Sequence, residues 1–245
     1  HPAGQPCPDP PDVRHPHELG HEVCRRGVST HLAAKGFFAC GNHGVLRATI
    51  RNREKIRMIR VRRATMADSE RILEIYDYYV RNTAITFEYE TPSLDEFKER
   101  MRNTMKKYPY FVIEKDDRIE GYAYAGKFVG RAAYDWSCEM TIYLDHNSRK
   151  CGMGRRIYEA LENELKKMGI LNLYACIGYP EKDDEYLTTN SADFHAHLGF
   201  KKVGEFYKCG YKFERWYNMI WMEKLIGEHK QKQSIITPYP ELGME

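Results

Sequence analysis

The sequence predicts a mixed α/β domain over residues 58–226. Three observations carry that prediction. Regular apolar patterning begins abruptly at Met58. A strand, a turn rich in glycine and basic residues, and a long amphipathic helix follow one another through residues 138–168, a pattern that asks for a parallel crossover. Two late segments, residues 203–208 and 218–224, alternate as a closing antiparallel pair.

Each element has its own signal. Ile59–Arg63 alternates as a strand. Thr65 or Asp68 caps the next helix, which runs to about Arg81 with Ile72, Ile75, Tyr76 and Tyr79 on one stripe. Ser93 opens a second helix; Glu96 completes a capping box, and Leu94, Phe97 and Met101 point inward. Tyr110–Lys115 and residues 118–125 form a hairpin turned at Asp116-Asp117. Residues 138–144 form a central strand. Residues 152–168 form a helix with Ile157, Leu161, Leu165 and Met168 inward, stopped by Gly169. A short apolar strand at 173–177 and a helix at 191–198, stopped by Gly199, precede the closing strands.

The ends read differently. Residues 1–57 hold six of the ten histidines, three of the seven cysteines and a proline-rich start, without sustained periodicity. They are expected to be a disordered or non-native extension ahead of the domain. Cys7, His17, His21, Cys24, Cys40 and His43 match no zinc spacing, so no metal is expected. The basic run Arg47, Arg51, Arg53, Lys55 and Arg57 reads as a solvated face, and a net charge of +3 is too small to argue for nucleic acid. Residues 227–245 are polar and read as a tail. Widely spaced cysteines without a CxxC pair indicate reduced thiols. With no membrane-length apolar run and no signal-peptide pattern, they predict a cytoplasmic protein with no membrane partner.

The most informative stretch is Leu144-Asp145-His146-Asn147-Ser148-Arg149-Lys150-Cys151-Gly152-Met153-Gly154-Arg155. Gly152 and Gly154 remove side chains where backbone N–H groups would approach a ligand. Free N–H groups and the positive dipole end at a helix start suit a pyrophosphate. Arg149, Lys150 and Arg155 add positive charge beside them.

Arg-x-x-Gly-x-Gly at 149–154, after a strand ending Thr141-Ile142-Tyr143-Leu144, resembles the acetyl-CoA motif of GNAT N-acetyltransferases. The neighbouring sequence resembles their phosphinothricin acetyltransferase-like branch. The likeness includes Tyr108-Pro109-Tyr110, Tyr124-Ala125-Gly126, and Arg131-Ala132-Ala133-Tyr134-Asp135-Trp136 with the Glu139 that follows. It continues through Ile177-Gly178-Tyr179-Pro180, His195-Ala196-His197-Leu198-Gly199-Phe200, and Gly210-Tyr211-Lys212 with Trp216. It covers Met58 to about Leu225 in matching order and spacing; residues 1–57 have no counterpart. The resemblance implies a GNAT fold, a mixed twisted sheet of six to seven strands with helices on both faces. It also implies an acyltransferase that uses acetyl-CoA as co-substrate and a small amino-acid-like amine as acceptor, and a homodimer with the carboxy-terminal strands near its interface.

Site residues follow from that likeness. Ile142, Tyr143, Leu144, Arg149, Lys150, Cys151, Gly152, Met153, Gly154, Arg155 and Asn190 are implied to hold the CoA moiety, in the gap where strand 139–144 splays from strand 173–177. Acetyl transfer to an amine needs a neutral amine, a facing carbonyl, a stabilised oxyanion and a managed thiolate. Glu139, in an otherwise apolar strand, is the candidate general base. His195 is the second candidate, protonating the thiolate or relaying a proton from the amine. Arg131, with its planar fork, suits a substrate carboxylate. Phe87, Tyr134 and Trp136 are candidate walls of the acceptor pocket.

Three positions depart from the family pattern. Residues 181–189 are long and acidic, Asn218 stands where an aspartate is expected, and Cys151 replaces a larger residue. The competing readings are a non-catalytic acyl-CoA binder and a protein acetyltransferase.

Overall fold

A computed structural model describes residues 59–148 and 152–243. The expectations for residues 1–57 and for Arg149, Lys150 and Cys151 lie outside the described residues. Within them, seven strands form one sheet in the order β1-β2-β3-β4-β5-β7-β6. They are β1 (Ile59–Arg63), β2 (Tyr110–Lys115), β3 (Arg118–Lys127), β4 (Ser137–Leu144), β5 (Asn172–Tyr179), β6 (Lys201–Lys212) and β7 (Arg215–Leu225). The helices are α1 (Ser69–Asn82), α2 (Leu94–Met105), α3 (Met153–Met168) and α4 (Asn190–His197). Only the β4–β5 step is parallel, which is what a strand–α3–strand crossover requires.

Helices cover both faces. The inward stripe of α1 and α2, with Ile72, Ile75, Phe97 and Met101, packs on Val112 and Tyr122. The stripe of α3, Ile157, Leu161 and Leu165, packs on Ile113, Leu173 and Ile220 on the other face. Side chains alternate along β4. Cys138, Met140, Ile142 and Leu144 therefore join the α3 core, while Tyr143 joins the α1–α2 core and Glu139 and Thr141 share its face.

Two boundaries differ from the sequence reading for physical reasons. Thr65 starts a 3-10 turn over Met66–Asp68, and α1 begins only at Ser69. The Asp68 carboxylate is occupied there: it accepts from the Thr65 N–H at 2.7 Å and pairs with Arg62 at 2.8 Å. The closing hairpin is longer than its alternation suggested, because Phe213 (φ 52°) and Glu214 (φ 60°) make the turn. Asp116 (φ 53°) and Asp117 (φ 66°) adopt the same left-handed pair, and there the turn chemistry is visible in the residues.

The segment read as a tail packs back on the domain. The Thr237 N–H donates to Met168 O at 2.9 Å, and Tyr239 is buried edge-on to Phe111. Among the described residues no helix is long and apolar enough to cross a membrane.

Candidate active site

The parallel step is short. β4 and β5 pair at Ser137–Asn172, Cys138–Leu173 and Glu139–Tyr174 and then part. Beyond that point β4 stays with β3 as far as Leu144, and β5 stays with β7 as far as Tyr179. The gap is a passage of about 210 Å³ through the sheet, with residues 140–143 on one wall and 175–178 on the other. Glu139, Tyr124, Tyr158 and His195 also line it. Four residues named from the sequence, Glu139, Ile142, Tyr143 and His195, are thus brought together.

Glu139 lies where the strands part, on the α1–α2 face. Its neighbour across β3 is Gly126, which leaves space above the carboxylate. Burial in the sheet pushes its pKa above the ordinary carboxylate value. The group therefore holds a proton more readily than a surface glutamate.

His195 lies on the opposite, α3 side, and is 3% exposed. Its Nδ1 is 2.7 Å from the carbonyl of Ser191, and its Nε2 is 2.8 Å from the hydroxyl of Tyr158. A carbonyl only accepts, so Nδ1 carries the proton and Nε2 accepts from Tyr158. Burial lowers the His195 pKa, with the Ser191 carbonyl opposing, so the resting ring is neutral. Burial likewise raises the Tyr158 pKa and keeps the phenol protonated. The resting imidazole is therefore an acceptor, and the hydroxyl beside it belongs to Tyr158. Sequence reading missed Tyr158, because it adjoins the inward stripe of α3. The available signal was that a buried tyrosine hydroxyl needs a partner.

The α3 terminus has the form expected of an anion site. Gly152, the N-cap residue, has φ 70° and no side chain of its own to cap the helix. Gly154 has a different reason to be glycine: a Cβ there would lie 3.0 Å from the ring of Phe194. Met153 is buried, while Arg155 and Asn190 are exposed. The turn entering this terminus is tied down by Asp145, which accepts from the Asn147 N–H at 2.9 Å and pairs with Arg71. Arg155 continues into a groove of about 400 Å³ along α3.

The remaining candidates lie outside the walls of the passage. Phe87 packs against Tyr217, in the space left by Gly210, where a Cβ would sit 2.4 Å from its ring. Tyr134 is exposed, edge-on to Phe128. Trp136 donates its ring N–H to Ser234 O at 2.7 Å and holds the carboxy-terminal segment. Arg131 is exposed beside Tyr134.

Two of the departures are explained locally. In the acidic loop, Asp184 accepts from the Tyr186 and Leu187 N–H groups at 2.8 Å and from the Tyr217 hydroxyl at 2.9 Å. Leu187 is buried beside Ala84 and Tyr217. Asn218 accepts from the Lys208 N–H at 2.9 Å and donates to Glu205 at 2.7 Å. An aspartate there would face the Glu205 carboxylate without a proton to give.

Residues 61–221 match the family model described as an acetyltransferase (GNAT) domain. The chain is 29% identical over 163 residues to phosphinothricin N-acetyltransferase of Streptomyces viridochromogenes, covering 66% of this chain and 85% of that protein. It is 27% identical over 173 residues to the L-methionine sulfoximine/L-methionine sulfone acetyltransferase of Salmonella typhimurium, covering 69% and 95%. A crystal structure of a GNAT superfamily phosphinothricin acetyltransferase from Sinorhizobium meliloti in complex with AcCoA is similar, with a TM-score of 0.67, 30% identity, and coverage of 75% and 97%.

Proposed function

The chain belongs to the GNAT acetyltransferase family, and from that premise we propose that it moves an acetyl group from acetyl-CoA to the amine of a small amino-acid-like acceptor. The observation that carries this reading is the passage between β4 and β5, with Glu139 on one face of the sheet and the His195–Tyr158 pair on the other. Such an opening lets donor and acceptor approach one point from opposite sides. Acceptors of the class named for the relatives, phosphinothricin and methionine sulfoximine or sulfone, are the first to try.

The residues present suit an acyl-CoA donor. The α3 terminus presents its first-turn N–H groups beside Gly152, and β4 has an edge beyond Glu139 that no longer pairs with β5. An amide of that edge, near Ile142, polarises the acyl oxygen. The thioester supplies an activated acyl carbon. Glu139 takes the amine proton, directly or through one water. Its task is modest, since an α-amino group with a pKa near 8 is already about one-tenth neutral at pH 7. Attack forms the C–N bond, the C–S bond breaks with its electron pair on sulfur, and the Tyr158 hydroxyl faces that side with His195 behind it. Arg131 remains the candidate partner for an acceptor carboxylate. A cytoplasmic homodimer completes the proposal.

Release of free CoA, followed against a panel of amino acids, tests this reading. Glu139→Gln is expected to lower kcat by about 10²-fold or more and to remove the acidic limb of the pH–rate profile. An unchanged profile rejects Glu139 as the base, and no turnover with any amine rejects the transferase itself.

A further inference from the structure

A second chamber, of about 150 Å³, lies on the α1–α2 side of the sheet and shares two walls, Tyr124 and Tyr143, with the passage. Tyrosines from three strands and one helix line it: Tyr110, Tyr122, Tyr124, Tyr143 and Tyr76. Its volume admits several water molecules, and phenol hydroxyls supply the polar partners that such water needs. Two charged residues stand at its wall, Glu88 and Arg100, which pair at 2.6 Å and are 34% and 45% exposed.

Tyr124 connects the two spaces. It pairs with Thr141 across the β3–β4 ladder, one step along from the Gly126–Glu139 pair on the same face. Its ring leans over Gly126, where a Cβ would meet it at 4.0 Å, and Gly126 is the residue paired with Glu139. Thr141, its partner across the ladder, lines the passage as well. Farther round the wall, the Tyr76 hydroxyl meets Thr86 Oγ1 at 3.0 Å, and the same Oγ1 accepts from the Glu88 N–H at 3.4 Å.

We propose that this chamber is the proton exit of the acetyl transfer: the proton collected by Glu139 passes through the Tyr124 hydroxyl to water in the chamber and leaves past Glu88. The proposal rests on the acetyltransferase reading above. Each step is an exchange. The Tyr124 oxygen takes the incoming proton as its own proton moves to the next oxygen, so only O–H bonds form and break and no charge stays on the ring. Tyr124 acts through Glu139 and is a positioning residue.

The test compares the wild type with Tyr124→Phe and Glu88→Gln, using methionine sulfone at saturating acetyl-CoA and constant pH and ionic strength. Tyr124→Phe keeps the stacked ring and loses only the hydroxyl. It is expected to lower kcat about tenfold with the acceptor KM unchanged, and added imidazole is expected to restore the rate. The wild type is expected to be insensitive to that buffer. Glu88→Gln, on the exposed side, is expected to show a smaller loss with the same rescue, and it decides the matter if Tyr124→Phe does not fold. A wild-type kcat in these variants, or a loss that imidazole leaves untouched, overturns the exit. A raised acceptor KM with intact kcat also overturns it and makes the chamber part of the acceptor site. Failure of the parent reading is separate: the wild type then turns over no acceptor at all.

Discussion

Glu139 sits where ionisation is penalised, and that has a consequence for stability as well as for chemistry. Burial raises its folded-state pKa above the unfolded value. A carboxyl shifted in this direction contributes stability that is fully present below about pH 4.3 and is lost as pH rises through the folded pKa. Glu139→Gln removes that loss. Thermal unfolding is therefore expected to give the variant a higher Tm than the wild type at pH 8, with the gap closing toward pH 4. A gap that does not change with pH would show that the carboxylate stays solvated. At His195 the sequence showed a histidine in the right motif, but not which way its protons run. That depends on Ser191 O and Tyr158 Oη, one in the preceding helical turn and the other 37 positions away. Tyr158 adjoins the apolar stripe of α3, which masks it in the sequence.

At the scale of elements, periodicity made most of the fold legible. The α3 stripe, the Asp116-Asp117 hairpin and the Ser93 cap stand where their residues indicate, and Ser93 Oγ accepts the Glu96 N–H at 3.2 Å. What stayed hidden depended on contacts between distant segments. Phe87 looked like a pocket wall because it is aromatic and near the expected acceptor side. It instead fills the slot left by Gly210, ties the loop after α1 to β6, and shares a small core with Leu187 of the acidic loop. Lys212 closes the same junction: its Nζ donates to Val80 O at 2.7 Å and Thr86 O at 2.8 Å, and burial brings its pKa down to about 8. Gly210→Ala is expected to destabilise the protein by about 1–3 kcal/mol through overpacking on Phe87. Adding Phe87→Leu is expected to recover part of that loss. Chemical denaturation of the two variants measures both effects, and an unshifted midpoint for Gly210→Ala would mean that Phe87 leaves its slot freely.

For the whole molecule, β6 is an edge strand, and with β7 it displays Tyr207, Trp216 and Phe206 at 72%, 60% and 52% exposure. A run of aromatic residues along a sheet edge suits a partner surface, in keeping with the proposed homodimer. Trp216→Glu is expected to halve the mass measured by sedimentation while leaving the far-UV spectrum intact; an unchanged mass would move the interface elsewhere. The seam between β4 and β5 bears on the mechanics of the whole. Each strand has eight residues, yet only three rungs join them, so the sheet is two leaves, β1–β4 and β5–β7, held by a short stitch. Among the described strands this seam has the fewest paired positions to resist shear. A molecule seated in the opening acts as a rivet between the leaves, and those amides of residues 140–143 and 175–178 that face the gap, not the ladders to β3 and β7, are the ones whose hydrogen exchange slows when it arrives.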